Sequence, residues 1–121
     1  MRSLLIIAHG SRRAASNDEM RALTEQVAQH AGDDYQRVAC AFLELAEPSI
    51  PDGLAALIDA GCTEVTVVPY FLSAGRHVAE DIPAEVAKVE KPDGVTVRIA
   101  PYLGQSPAMA GLLLAQAGRT D

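Results

Sequence analysis

Leu4-Leu5-Ile6-Ile7-Ala8-His9-Gly10-Ser11-Arg12 decides how the rest of the chain is read. A short aliphatic run containing β-branched residues reads as a buried strand, here over 3–8, and Gly10-Ser11 breaks it. His9 therefore falls at the mouth of the strand instead of inside a core. In open α/β sheets the carboxyl ends of the strands are where ligands bind. A second imidazole, His77, follows another apolar run, Val65-Thr66-Val67-Val68-Pro69-Tyr70-Phe71-Leu72, on what reads as a comparable strand-end loop. Two imidazoles so placed point to a metal site or a proton-transfer site.

Outward from these runs, strand and helix patterns alternate. Met20, Leu23, Val27 and Ala31 recur at helical spacing from about 15 to 31, with Ser16 or Asn17 placed to cap the start. The stretch from Val38 to Leu43 reads as the second strand. A helix starting near Ser49 carries Leu54, Leu57 and Ile58 on one face, and Gly61 stops it. The third strand covers about 64–70. The third helix is expected from near Ala79 or Ile82 to about Val89, with Asp81 as a cap ahead of Ile82-Pro83. Pro92-Asp93-Gly94 is a turn, and Val95 to Ile99 a fourth strand. The last helix is expected over Pro107 to Ala117, with Ser106 as N-cap and Gly118 as the stop.

Strands alternating with helices imply right-handed crossovers and a parallel sheet covered on both faces. The expectation is one α/β domain over 1–121, a flavodoxin-like three-layer sandwich with four parallel strands in the order 2-1-3-4. The edge of so small a sheet calls for a covering partner.

Composition narrows the function. The net charge of −6 excludes the clustered basic surface of a general nucleic-acid binder. Hydrophobic residues make up 49% of the chain and aromatics only 4%, so the core must be aliphatic. Cys40 and Cys62 have no CxxC spacing and read as free thiols in a reduced compartment. No secretory leader and no apolar stretch of membrane-spanning length is evident, so a cytoplasmic location is expected.

Three side chains fall at or just beyond the ends of the first three strands: His9, Glu44 and His77. In the order 2-1-3-4, His9 and His77 flank the point where the chain reverses direction, with Glu44 beside them. Two neutral imidazoles and a carboxylate suit divalent cobalt, iron, nickel or zinc with positions left open for exchange. The same groups also suit proton transfer. Arg12-Arg13 beside His9 and Arg76 beside His77 favour an anionic ligand, and Gly10-Ser11 offers backbone N–H groups to one. The remaining polar residues read as structural. His30 complements the end of the first helix, and Glu47 and Asp52 serve the start of the second. Cys40 points into the core. Ser11 lacks the Gly-x-Ser-x-Gly elbow of hydrolases, and the chain has neither a Gly-x-Gly-x-x-Gly nor a P-loop.

Taken together, Ala8-His9-Gly10-Ser11-Arg12, Phe42-Leu43-Glu44-Leu45-Ala46-Glu47-Pro48 and Pro69-Tyr70-Phe71-Leu72-Ser73-Ala74-Gly75-Arg76-His77, followed by Asp81-Ile82-Pro83, resemble the CbiX/SirB family of sirohydrochlorin chelatases. The resemblance covers nearly the whole chain. It implies a chelatase-like fold and insertion of divalent cobalt, iron or nickel into sirohydrochlorin, for cobalamin or sirohaem, with the metal as substrate and no organic cofactor. It further implies that His9 and His77 bind the metal and that Glu44 assists in catalysis. Ser11, Arg12, Arg13 and Arg76 would hold the acid groups of the tetrapyrrole. The chain looks like the short, single-unit form, for which a homodimer is implied. Two departures stand out: there is no His-rich insert, and nothing after the fourth helix closes the pocket from the same chain. Two competing readings are a non-catalytic metal or tetrapyrrole carrier using the same pocket, and a flavodoxin-like signalling domain. The latter lacks an acidic phosphoacceptor cluster at the end of the first strand.

Overall fold

The computed structural model describes residues 1–73 and 75–119, and only the main chain of His77. Ala74, which lies in one of the motifs, and Thr120 and Asp121 fall outside the described residues. The elements run β1 (Arg2–Ala8), α1 (Ala14–Ala31), β2 (Arg37–Phe42), α2 (Ile50–Asp59), β3 (Glu64–Pro69), α3 (Arg76–Ala87), β4 (Thr96–Ile99), a short 3-10 turn (Leu103–Gln105) and α4 (Met109–Ala117). The strands form one parallel sheet in the order β2-β1-β3-β4, as the alternating pattern requires.

Alternation along β1 divides the core into two. Leu5 and Ile7 point to one face, where Ala41, Val65 and Val67 join Ile50, Leu54 and Leu57 of α2 and Ile82 and Val86 of α3. Ile6 and Ala8 point to the other and meet Met20 of α1 and Phe42. One helix thus covers one face and two cover the other, which makes the three layers. α2 starts where expected, with the Ser49 hydroxyl accepting from the Asp52 N–H at 3.2 Å. It also stops where expected, with Gly61 at φ +98°, a left-handed conformation that an ordinary side chain resists.

Three helix starts differ from the sequence reading. α1 begins at Ala14 after Arg13, and neither Ser16 nor Asn17 caps it. The Asn17 amide turns back onto Ser11 instead. α3 begins at Arg76, because the Gly75 carbonyl already accepts from the Ala79 N–H at 3.1 Å. Asp81 is consequently inside the helix and caps nothing, Pro83 is an interior proline, and His77 sits in the first helical turn and not on a loop. α4 begins at Met109, because Ser106 closes a separate turn: its hydroxyl accepts from Ala108 and its carbonyl from Met109.

α4 buries none of its residues. Leu112, Leu113 and Leu114 are all exposed, so this helix contributes nothing to either core cluster. No helix among the described residues is long and apolar enough to cross a membrane.

Candidate functional site

The hydrogen-bonded ladder between β1 and β2 does not stop where the strands end. Leu43 N–H donates to the Ala8 carbonyl at 2.9 Å, and Glu44 N–H donates to the His9 carbonyl at 3.0 Å. The two segments are therefore locked side by side through His9 and Glu44, residues that the sequence separates widely. Immediately afterwards both segments turn sharply. Gly10 has φ +95° and Leu45 has φ +66°, so a non-glycine residue takes the left-handed conformation directly after the acid.

The side chains repeat the main-chain pairing. His9 Nε2 lies 2.9 Å from Glu44 Oε1, with both side chains about half exposed. A carboxylate oxygen accepts in such a contact, so Nε2–H is the donor, and the neutral tautomer that makes it has its lone pair on Nδ1. The ring of Phe71, on the segment after β3, meets the imidazole edge-on, with centroids 6.3 Å apart and planes at 79°. That segment is tied down in turn, since the Phe71 carbonyl accepts from Gly104 N–H at 2.9 Å.

His9 separates two open clefts. The larger, about 570 Å³, runs along α1 and is walled by Met20, Leu23, Phe42, Tyr70 and Phe71, with Ser11 and Asn17 at its polar end. The smaller, about 430 Å³, lies against α3, where Glu44, Asp81, Glu85 and Lys88 face it. An apolar-walled cleft with a few convergent polar groups is the usual form of a small-molecule site.

The other expected residues are placed as follows. Ser11 lines the larger cleft, but its N–H is taken by Asn17 Oδ1 at 3.0 Å, which leaves Gly10 as the loop's remaining candidate donor to an anion. The Ser11 hydroxyl accepts from Arg13 N–H at 3.0 Å. Arg12 and Arg13 are exposed just beyond Ser11 and line neither cleft. Arg76 opens α3, fully in solvent, with Nε 3.3 Å from Glu80 Oε1. The His77 side chain lies outside the described residues. Among the described residues no three His, Cys, Asp or Glu side chains converge as a metal cluster, so His9 and Glu44 are the pair that the described side chains bring together. His30 does as expected at the end of α1, with Nδ1–H donating to the Gln26 carbonyl at 2.8 Å.

Sequence reasoning missed Asn17, Phe71 and the acidic face of α3. For Asn17 a signal exists: with Met20 and Thr24 it forms the inward stripe of α1, and a carboxamide on such a stripe needs partners.

The CbiX family model matches residues 3–120. The chain belongs to the CbiX family. This CbiX chain is 37% identical over 102 residues to a chloroplastic sirohydrochlorin ferrochelatase of Arabidopsis thaliana, a match covering 84% of the chain and 44% of that protein. It is 36% identical over 83 residues to a sirohydrochlorin cobaltochelatase of Methanococcus maripaludis, covering 69% of the chain and 56% of that protein. The CbiX chain thus spans about half the length of these curated relatives. Among solved structures, a putative cobalamin biosynthesis CbiX protein from Marinobacter aquaeolei matches with TM-score 0.74 and 33% identity, over 97% of this chain and 93% of that one. The chelatase-like fold expected from the motifs is therefore the fold of this CbiX chain.

Proposed function

We propose that this chain inserts a divalent metal into sirohydrochlorin, on the route to sirohaem or cobalamin. The observation that carries the reading is the 2.9 Å contact between His9 Nε2 and Glu44 Oε1 at the head of an apolar-walled cleft. It occurs in a chain similar to proteins named sirohydrochlorin ferrochelatase and sirohydrochlorin cobaltochelatase.

Insertion displaces the N–H protons of the macrocycle, so a weakly held metal must sit beside a base. Glu44 fixes the imidazole tautomer and leaves Nδ1 of His9 to take the incoming metal; its carboxylate also serves as a proton acceptor. His77 supplies a second imidazole, and so few protein donors keep the metal labile enough to hand on. The macrocycle lies along the larger cleft, against Met20, Leu23, Tyr70 and Phe71. Ser11, Arg12, Arg13 and Arg76 hold its acid groups. The ion pair of Arg76 with Glu80 is exposed and weak, so a substrate carboxylate can replace Glu80 at little cost.

Imidazole and carboxylate donors accept cobalt, iron and nickel alike, and the proposal covers all three as substrate with no organic cofactor. We place the activity in the cytoplasm, a reading supported by the free thiols of Cys40 and Cys62. The working form is a homodimer, a reading supported by the exposed leucines of α4 and the open edge of β4.

The test is a metal-by-metal insertion assay with sirohydrochlorin, followed by absorbance. His9→Ala should lower the rate by about 10²–10⁴-fold while far-UV circular dichroism stays unchanged. Full residual activity in that variant overturns the assignment. Stoichiometric binding without turnover in the unmodified protein identifies a carrier instead.

A further inference from the structure

His9 is anchored on the β2 side by the main-chain ladder, but the chain leaves it through Gly10, the residue least able to transmit that order. Gly10 has φ +95°, and a glycine there keeps access to conformations closed to other residues. What fixes the far side of this hinge is Asn17. Its Oδ1 accepts from Ser11 N–H at 3.0 Å and its Nδ2 donates to the Ser11 carbonyl at 2.8 Å. Asn17 is 8% exposed and sits on the inward stripe of α1 with Met20 and Thr24.

We propose that Asn17 is a positioning residue for His9. The carboxamide reads the main chain of Ser11 as a neighbouring strand would, with a donor and an acceptor side by side. No other side chain of this size except glutamine's offers that pair, and glutamine is one methylene too long for the distances observed. The loop Gly10-Ser11 is thereby clamped between β2 and α1, and the imidazole is held where Glu44 Oε1 meets Nε2 and the edge of Phe71 meets the ring. Asn17 lines the same cleft as His9 but has no hydrogen bond to it, so it acts through the loop. Holding a reactive group in place through a supporting shell locked by its own hydrogen bonds is what keeps such a site preorganised.

The inference rests on the reading of His9 as the metal-binding histidine, and its test separates the two. Asn17→Asp keeps the shape and the acceptor for Ser11 N–H but sets a carboxylate oxygen against the Ser11 carbonyl. Asn17→Leu keeps the bulk and removes both bonds. Each variant is measured for kcat and KM in cobalt insertion, for urea midpoint, and for the ¹⁵N signals of the His9 ring, which report where the imidazole proton resides. The expected result is a kcat lower by about 10–100-fold, as for other supporting residues around metal ligands. KM for the tetrapyrrole should stay within about twofold, and the His9 ring should change from a single Nε2–H form to a mixture of tautomers. Asn17→Asp also guards against a Leu variant that fails to fold. Unchanged ring signals and kcat in a folded variant overturn the proposal. So does a loss of kcat that only follows the folded fraction. If the unmodified protein inserts no metal, the functional reading fails, while the ring signals still decide the role of Asn17.

Discussion

Gly10 and Glu44 meet through main chain alone: a Cβ built on residue 10 would stand 1.7 Å from the Glu44 carbonyl oxygen. Residue 10 is also at φ +95°, so a side chain there faces both a collision and a strained backbone. Left-handed strain costs about 1–2 kcal/mol and forced overlap about as much again. Gly10→Ala should therefore destabilise the protein by about 3 kcal/mol, read as a lower urea midpoint. It should also abolish metal insertion in whatever fraction remains folded.

Glu44→Gln removes the charge opposite His9 Nε2 but keeps a carbonyl oxygen able to accept the Nε2–H hydrogen bond at the same distance. The ring should stay in place while the stabilisation of its metal-bound form, and the proton acceptor, are lost. A fall in kcat of about 10–100-fold, with unchanged thermal stability, is expected from a continuous insertion assay. The pair is half exposed, so a stability change is not.

Leu54 is fully buried in the cluster between the sheet, α2 and α3. Leu54→Ala leaves a cavity there, and a loss of about 2–5 kcal/mol in urea unfolding is expected. The native state of this variant should insert metal normally, because Leu54 lines neither cleft.

Three successive residues on a helix point in directions spread over more than half its circumference. Leu112, Leu113 and Leu114 therefore cannot all face the body of the same chain, and all three are in fact exposed. Replacing Leu113 and Leu114 with glutamine should raise the dimer dissociation constant at least about tenfold, or about 1.4 kcal/mol, in analytical ultracentrifugation. A monomer both before and after the change would remove the homodimer from the proposal.

The sheet and its order were legible because β1 and β3 are aliphatic runs ended by clear punctuation, and alternation with helices leaves few topologies. Ser49 and Gly61 bounded α2 correctly because both act locally, through a hydroxyl and a left-handed turn. Pro83 misled, since proline is commonest in the first turn of a helix, whereas here the helix starts well before it. His9 and Glu44 were legible as strand-end residues. Their contact was not, because it depends on a ladder carried past both strands and on a backbone approach that only Gly10 permits. Asn17 was assigned to the nearest backbone N–H groups, those of its own helix, and the structure gives it to Ser11. Phe71 could not be read at all, because the Gly104 contact that holds it comes from a turn that no periodicity announces.

The ladder keeps one register from Ser3 opposite Arg37 to Ala8 opposite Phe42, and just past it the Glu44 N–H donates to the His9 carbonyl. A single insertion or deletion along either strand would change the offset between histidine and glutamate by one place and turn the histidine to the opposite face. Strand length is therefore as much a part of the candidate site as any side chain. Sequence drift among relatives should be far freer in what these strands contain than in how many residues they have.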